Sequence, residues 1–272
     1  LTVLDITDRH LVMLKAPRYG YGRNMNPCID CHALMLKHAG ELMEAMKASF
    51  IFTGEVLGQR PMSQGKQSLH IVAKMSGYQE YVVRPLSARL LPETKPERDG
   101  IIDRQRLLSL QGRGRKEQMA MAANYGITQY ETPAGGCLLT DPEFSKRLKD
   151  LFLVEKNDRI RDIELLKVGR HFRIAENRKV IVGRNRSENN VIRQLGNRGD
   201  MLIHMADFPG PAVIVPYGCS GEKLSWAASL CALYSDAPND QEVAAVCTMG
   251  DETSVCLVKA CTREEASRMI IR

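Results

Sequence analysis

Hydrophobic and polar positions follow two different periods along this 272-residue chain. In the first 150 residues, apolar side chains recur at helical spacing over residues 32–47, which predicts an amphipathic helix. Short apolar runs at 49–53 and 81–86 predict strands, and residues 103–110 and 115–125 predict two further helices. This mixture indicates an α/β fold for the N-terminal part.

Short strands predominate after residue 165. The pattern predicts strands at 170–174, 179–183, 201–205, 212–216, 243–247 and 254–260, with helices at about 187–195 and 222–234. Strands and helices without regular alternation are typical of an α+β domain. We therefore expect an α/β part at 1–150, a charged helical linker at 151–164 and a smaller α+β domain at 165–272.

Composition narrows the class of protein. The chain is 44% hydrophobic, so it can bury a substantial core, and its eight cysteines are spaced irregularly. No secretory signal and no apolar run of membrane-spanning length is visible in the sequence. We expect a cytoplasmic protein with reduced thiols and no membrane attachment.

Positive charge is concentrated in one stretch of the second half. Residues 159–198 carry 11 basic and 4 acidic side chains within a chain of net charge +6. Arg170, Arg184 and Arg186 fall near predicted strand ends, where side chains can share one face. A surface of this kind binds the phosphate backbone of nucleic acids, although the same charges also suit an ordinary solvated surface.

Two groups of cysteines carry the candidate chemistry. Cys28 and Cys31 form a C-x-x-C at the start of the first predicted helix, and Cys137 follows two glycines. A helix N-terminus lowers the pKa of a thiol and favours the thiolate that binds metals and attacks sulfur. We expect the three thiols to meet in one site, with their sulfurs within about 7 Å of each other.

Several kinds of thiol site remain open at this point. A zinc site needs a fourth ligand, such as His32 or a remote residue. A [4Fe–4S] cluster held by three cysteines leaves one iron open. Without a metal, one cysteine carries a persulfide and another resolves it as a disulfide. The C-x-x-C-H pattern also matches haem c attachment, and a simple redox pair would leave Cys137 as a buried small residue.

The segment Asn26–His32, followed by Thr53–Glu55, resembles motifs of the ATP-dependent tRNA thiouridine synthases of the PP-loop superfamily. Those enzymes have N-P-C-x-x-C-N and T-G-H, so His32 stands in place of an Asn and Glu55 in place of a His. The segments at 53–64, 84–88 and 133–141 look like those of a thiouridylase-like, thiamine-biosynthesis-like subgroup. Residues 165–272 resemble the NFACT-type RNA-binding domain that is appended to such enzymes.

This resemblance implies a tRNA sulfurtransferase. ATP would activate a base carbonyl of the tRNA, and a donor protein or inorganic sulfide would supply the sulfur. Cys28, Cys31 and Cys137 would carry the sulfur or ligate a [4Fe–4S] cluster or zinc. Thr53, Gly54 and Glu55 would lie near the nucleotide. Six basic residues would contact tRNA: Arg113, Arg115, Lys116, Arg170, Arg184 and Arg186.

The S-G-G-x-D-S loop that binds ATP in those enzymes precedes the N-P-C-x-x-C motif, and it does not occur in this chain. The resemblance therefore implies an incomplete PP-loop ATPase-like domain plus a central region, the C-terminal part of a longer enzyme. The alternative is a non-catalytic RNA-binding or adaptor protein with a structural metal site. A cytosolic redox protein is the third class, and it would need neither Cys137 nor the basic stretch.

Overall fold

The computed structural model describes residues 1–130 and 136–271. The chain divides into two compact units, Leu1–Thr140 and Asp141–Arg272. The second unit begins before the boundary that the sequence indicates at residue 150, because the helix that starts at Pro142 belongs to it.

The first unit contains five helices and a small parallel sheet in its described residues. The elements are α1 (Thr7–Lys15), α2 (Cys28–Ala45), β1 (Ile51–Phe52), α3 (Lys66–Ser76), β2 (Val82–Val83), α4 (Lys95–Arg98) and α5 (Lys116–Asn124). Strands β1 and β2 pair in parallel, and α3 connects them, as parallel pairing requires. The mixed α/β character agrees with the sequence pattern, whereas the PP-loop ATPase-like assignment of this unit stays a prediction.

Helix α2 packs on this sheet through its apolar face. Leu36 is buried against Val72 of α3 and Val82 of β2. Because β1 and β2 run in parallel, their carboxyl ends meet at one edge, where Thr53 and Arg84 follow directly. This is the edge at which α/β sheets usually carry functional groups.

The helix predicted at 103–110 is absent from the described residues. One 3₁₀ turn forms at Arg104–Arg106, and the Asp103 carboxylate accepts a hydrogen bond from the Gln105 amide. Beyond it, the Leu108 and Leu110 amides donate to the carbonyls of Pro85 and Leu86. The prediction was wrong because pairing with a distant segment outweighs local helical preference.

The second unit is built around a six-stranded sheet. Its elements are α6 (Pro142–Leu153), α7 (Ile160–Leu165), β3 (Arg170–Ala175), β4 (Arg178–Val182), α8 (Arg186–Leu195), β5 (Met201–Met205), β6 (Val213–Val215), α9 (Glu222–Leu233), β7 (Glu242–Met249), β8 (Glu252–Lys259) and α10 (Arg263–Met269). The strand order is β3-β4-β6-β5-β7-β8, and every neighbouring pair is antiparallel.

Helices cover both faces of this sheet. On strand β4, Val180 and Val182 pack into the core that contains the apolar residues of α9. Ile181 points the opposite way, into a separate cluster with Leu165 of α7 and Ile192 of α8. Alternate residues of a strand face opposite sides of the sheet, so a strand that is buried on both faces has a continuous run of apolar residues in its sequence. The second unit is therefore an α+β domain, as the sequence predicts.

Within residues 1–130 and 136–271, no helix is both long enough and apolar enough to span a membrane.

Candidate RNA interface and thiol cluster

A polar cavity of about 620 Å³ opens in the second unit where β3 begins and β4 ends. We call it the basic cavity. Its lining is dominated by four arginines and three asparagines, namely Arg170, Arg184, Asn185, Arg186, Asn189, Asn190 and Arg193. The sequence analysis predicts RNA contact for three of these arginines, Arg170, Arg184 and Arg186. The structure brings them together at one site.

Helix α8 presents one polar stripe to the basic cavity. Arg186, Asn190 and Arg193 are spaced i, i+4 and i+7, so they lie along one side of the helix. All three are exposed, and the described part of the chain offers no acidic partner to either arginine. Their guanidinium groups are therefore available to an anionic ligand.

Arg170 and Tyr234 also line the basic cavity. The Arg170 guanidinium lies 4.7 Å from the centre of the Tyr234 ring, a cation–π contact that orients the arginine at the cavity. Tyr234 directly follows α9, far from Arg170 in sequence, and no local sequence signal pairs the two residues.

Arg184 is engaged by Glu188. Its Nε donates to Glu188 Oε1 at 2.9 Å, and its backbone amide donates to Glu188 Oε2 at 2.9 Å. The same carboxylate accepts the Gly169 amide at 3.1 Å. Burial alone would raise the pKa of Glu188, but the hydrogen bonds and charge of Arg184 outweigh it and hold the pKa below its usual range. Part of the positive charge of Arg184 is thus already neutralised.

In the basic cavity, a side-chain oxygen of α8 lies very close to the backbone where β4 ends. The Asn189 side-chain oxygen accepts a hydrogen bond from the Ala212 amide at 3.0 Å and lies against Gly183. Any side chain at Gly183 would collide with that oxygen. Glycine is therefore required where β4 ends, and this contact aligns α8 with the segment that precedes β6.

Three thiols lie in one neighbourhood of the first unit. Cys28 is the first residue of α2 and Cys31 lies in its first turn, as the sequence predicts. The segment after Cys137 is joined to the segment before Cys28. The Met25 amide donates to the Leu139 carbonyl at 3.2 Å, and the Asn24 side-chain amide donates to the Thr140 carbonyl at 2.7 Å. The Cys28 thiol donates to the Asn26 side-chain oxygen at 3.1 Å.

The expectation of lowered thiol pKa values at the helix start was wrong. Burial raises the pKa of Cys28, with a smaller increase from the charge of Cys137. Burial together with the charges of Cys137 and Cys28 raises the pKa of Cys31 to about 11. Loss of hydration and mutual repulsion among the thiolates exceed the stabilisation that a helix N-terminus supplies. The charges of the three thiols thus act on one another. The expectation that their sulfurs lie within about 7 Å of each other stays a prediction.

A buried ion-pair network lies where β1 and β2 end, and one of its members, His32, directly follows Cys31 in sequence. Arg84 Nε donates to Glu55 Oε2 at 2.8 Å, and His32 Nδ1 lies 3.1 Å from Glu55 Oε1. The Thr53 hydroxyl donates to the same carboxylate at 3.1 Å. Although burial opposes ionisation of Glu55, the contacts with His32 and Arg84 lower its pKa. The sequence analysis predicts a role for Thr53, Gly54 and Glu55, but it does not predict that Arg84 pairs with Glu55.

The loop between β1 and α3 contains Arg60, whose charge acts on Cys28. Burial raises the pKa of Cys28, and the charge of Arg60 opposes this by a smaller amount. In the same loop, the Arg60 Nε, the Ser63 hydroxyl and the Gln64 side-chain oxygen are buried and have no hydrogen-bond partner among the described residues.

The three thiols are of the right chemical type to bind a metal, but they are not arranged as metal ligands. Three thiolates suit zinc or an iron–sulfur cluster. Across the described ranges, however, no three His, Cys, Asp or Glu side chains are arranged to hold a metal ion. We therefore derive no step through a metal.

The remaining predicted RNA contacts lie in the first unit. Arg113 is exposed, Lys116 begins α5, and the Arg115 guanidinium lies 5.9 Å from the centre of the Tyr130 ring. They belong to a different unit from Arg170, Arg184 and Arg186.

Comparison with known proteins finds a family match within the second unit. Residues 169–270 match the family model described as the NFACT protein RNA binding domain, which confirms the resemblance expected for residues 165–272. This RNA-binding domain includes every arginine of the basic cavity. The matched range leaves out the residues that resemble thiouridine synthases, so that resemblance stays a prediction.

Among solved structures, the chain is similar to the C-terminal part of the fibronectin/fibrinogen-binding protein from Streptococcus suis. The sequence identity is 14% and the TM-score is 0.36, over 89% of this chain and 99% of that one. A score of this size does not establish a shared fold. No curated protein matches the sequence.

Proposed function

We propose that this protein binds RNA through the basic cavity, with tRNA as its substrate or partner. The observation that carries the proposal is the convergence of Arg170, Arg186 and Arg193 on one polar cavity within an RNA-binding domain. Arginine is the side chain best suited to phosphate, because its planar group donates two parallel hydrogen bonds.

The residues of the basic cavity have different roles in this proposal. Arg186 and Arg193 contact phosphates along α8, and Asn190 between them donates to phosphate or ribose oxygens. Arg170, which lies against Tyr234, contacts a further phosphate. Arg184 contributes less, because Glu188 already accepts its hydrogen bonds.

A salt titration tests this function. We expect tRNA affinity to fall steeply with salt, and the slope of log K against log salt to shrink by about 2–3 when Arg170, Arg186 and Arg193 are replaced by Ala. Arg268→Ala is the matched control, since Arg268 is an exposed arginine of the same unit, paired with Glu264 and outside the cavity. Equal slopes for the triple variant and the control would refute the basic cavity as the RNA site.

A second candidate function, tRNA thiolation, is supported by the hydrogen bonds that join the segment after Cys137 to the segment before Cys28. In the thiouridine synthases that the sequence resembles, ATP adenylates a base carbonyl and releases pyrophosphate, and this chain does not contain the loop that binds ATP there. A persulfide on one of these cysteines, supplied by a sulfur donor, attacks that carbon through its outer sulfur and expels AMP. A second cysteine then attacks the inner sulfur, which forms a disulfide between the two cysteines and leaves the outer sulfur on the base. An external dithiol reduces the disulfide.

Intact mass spectrometry tests the sulfur-carrying step. After incubation with a low-molecular-weight persulfide, the protein should gain the mass of one sulfur on Cys28, Cys31 or Cys137. The gain should disappear when all three are replaced by Ser and persist in Cys256→Ser, a half-buried cysteine of the second unit. Persulfide that forms equally well in the triple variant would rule out these thiols as carriers.

A further inference from the structure

A second cavity, of about 340 Å³, lies wholly within the first unit. We call it the tyrosine pocket. Helix α5 and the residues after it form most of its walls, and Gly54, directly after Thr53, forms part of its lining. The proposed phosphate contacts of the second unit make no use of this pocket.

The walls of the tyrosine pocket expose an unusual amount of apolar surface. Met119, Tyr125, Ile127 and Tyr130 are each about half exposed or more, and all four lie within twelve residues of chain. Single exposed apolar residues are ordinary, whereas a contiguous group around a cavity marks a binding site.

The polar groups of the pocket indicate which ligand it suits. The guanidinium of Arg115 lies over the Tyr130 ring, and its buried Nε has no hydrogen-bond partner in the described residues. Gln59 donates a hydrogen bond to Gln118 at 3.0 Å, which fixes two side-chain amides at the rim. Aromatic rings, a planar cation and amides together are the groups that hold an unstacked nucleobase.

We propose that the tyrosine pocket binds one unstacked base of a single-stranded RNA segment. Tyr125 and Tyr130 stack on the base, Gln59 or Gln118 hydrogen-bonds its edge, and Arg113 and Lys116 contact the flanking phosphates. This inference rests on the proposed function in one respect, that the ligand is RNA. It assigns a base-binding role to a unit that lies outside the matched RNA-binding domain.

Gly54 allows the pocket to be filled without disturbing the fold. A Cβ at Gly54 would meet no atom within 4 Å, and its backbone is not in the left-handed region. A leucine at this position therefore meets no steric barrier, and because Gly54 lines the tyrosine pocket, we expect it to take up part of the space proposed for the base. Gly114 has the same freedom and does not line the pocket, so Gly114→Leu is the matched control.

The experiment uses the full chain and a single-stranded RNA that carries one 2-aminopurine, whose fluorescence reports stacking. We expect wild-type protein and Gly114→Leu to change the fluorescence and Gly54→Leu to abolish that change. Tyr130→Ala provides a second variant and should weaken binding about tenfold. Both pocket variants keep Arg113, Lys116 and the arginines of the basic cavity, so salt-dependent RNA binding should persist in both. An RNA with an abasic site at the probe position should bind wild type as weakly as the intact RNA binds Gly54→Leu.

Failure of this inference can be told apart from failure of the proposed function. Salt-dependent RNA binding with an equal 2-aminopurine signal in wild type, Gly54→Leu and Tyr130→Ala would overturn the base-binding pocket and leave the basic cavity standing. An unchanged salt slope in the triple arginine variant would refute the basic cavity, whatever happens at the tyrosine pocket. Absence of any RNA binding by wild type would overturn both.

Discussion

His32 Nδ1 lies 3.1 Å from Glu55 Oε1, and both side chains are largely shielded from water. These are the two positions at which the sequence departs from the N-P-C-x-x-C-N and T-G-H motifs of the thiouridine synthases that it resembles. The two departures are thus in direct contact, and Arg84 holds the same carboxylate from the other side. Replacement of one residue changes the environment of the other, so the pair acts as a unit.

Glu55→Gln is expected to destabilise the first unit by about 3–5 kcal/mol. Glu55 and Arg84 are 8% and 7% exposed, and loss of one partner leaves a buried charge uncompensated. Urea unfolding at pH 7 measures the difference. Glu80→Gln is the control, because Glu80 pairs with Arg98 at the exposed surface and should change stability by less than about 1 kcal/mol. Similar losses in the two variants would contradict a buried network.

Glu188→Gln is expected to steepen the salt dependence of RNA binding by up to about 1 in slope. The glutamine side chain carries no negative charge to neutralise Arg184, so the guanidinium becomes available to a phosphate. Filter binding or fluorescence anisotropy at several salt concentrations measures the slope. Glu264→Gln removes an acidic partner from Arg268 outside the basic cavity and should leave the slope unchanged. A shallower slope in Glu188→Gln would show that Arg184 contacts RNA only when Glu188 orients it.

The Glu188 carboxylate also predicts how stability depends on pH. Its pKa is lowered in the folded protein, so its stabilising effect is complete above about 4.3, the ordinary value in an unfolded chain. The effect is lost as the pH falls through the lower folded value. Wild type should exceed Glu188→Gln by about 1–3 kcal/mol at pH 7, and the difference should shrink toward pH 3. A constant difference across this range would contradict the ion pair.

Cys31 is expected to react slowly with alkylating agents at neutral pH, because burial and two neighbouring thiols raise its pKa to about 11. Cys137→Ser removes one source of repulsion and should speed alkylation of Cys31, with its pH profile moved to lower pH. Mass spectrometry of peptides after timed iodoacetamide treatment measures both rates. Cys231, fully buried in the second unit, should stay unlabelled throughout. An unchanged rate for Cys31 in Cys137→Ser would indicate that the two sulfurs are not coupled.

The sequence by itself determined the features that depend on neighbours along the chain. Residues 32–47 show the helical period that forms α2, and alternating or continuous apolar runs mark the strands of the second unit. The basic stretch that contains Arg170, Arg184 and Arg186 is visible as composition alone. The resemblance of this stretch to an RNA-binding domain is confirmed by the match at residues 169–270.

Only the tertiary structure decided which of these side chains meet and in what charge state. Tyr234 lies against Arg170 although the two are 64 positions apart in sequence. Glu55 contacts both His32 of α2 and Arg84, which follows β2. Likewise, the raised pKa of Cys31 follows from burial, which no local motif encodes. Hydration, Coulomb energy and hydrogen bonding depend on distances in space, whereas sequence periodicity reports only the preferences of adjacent residues.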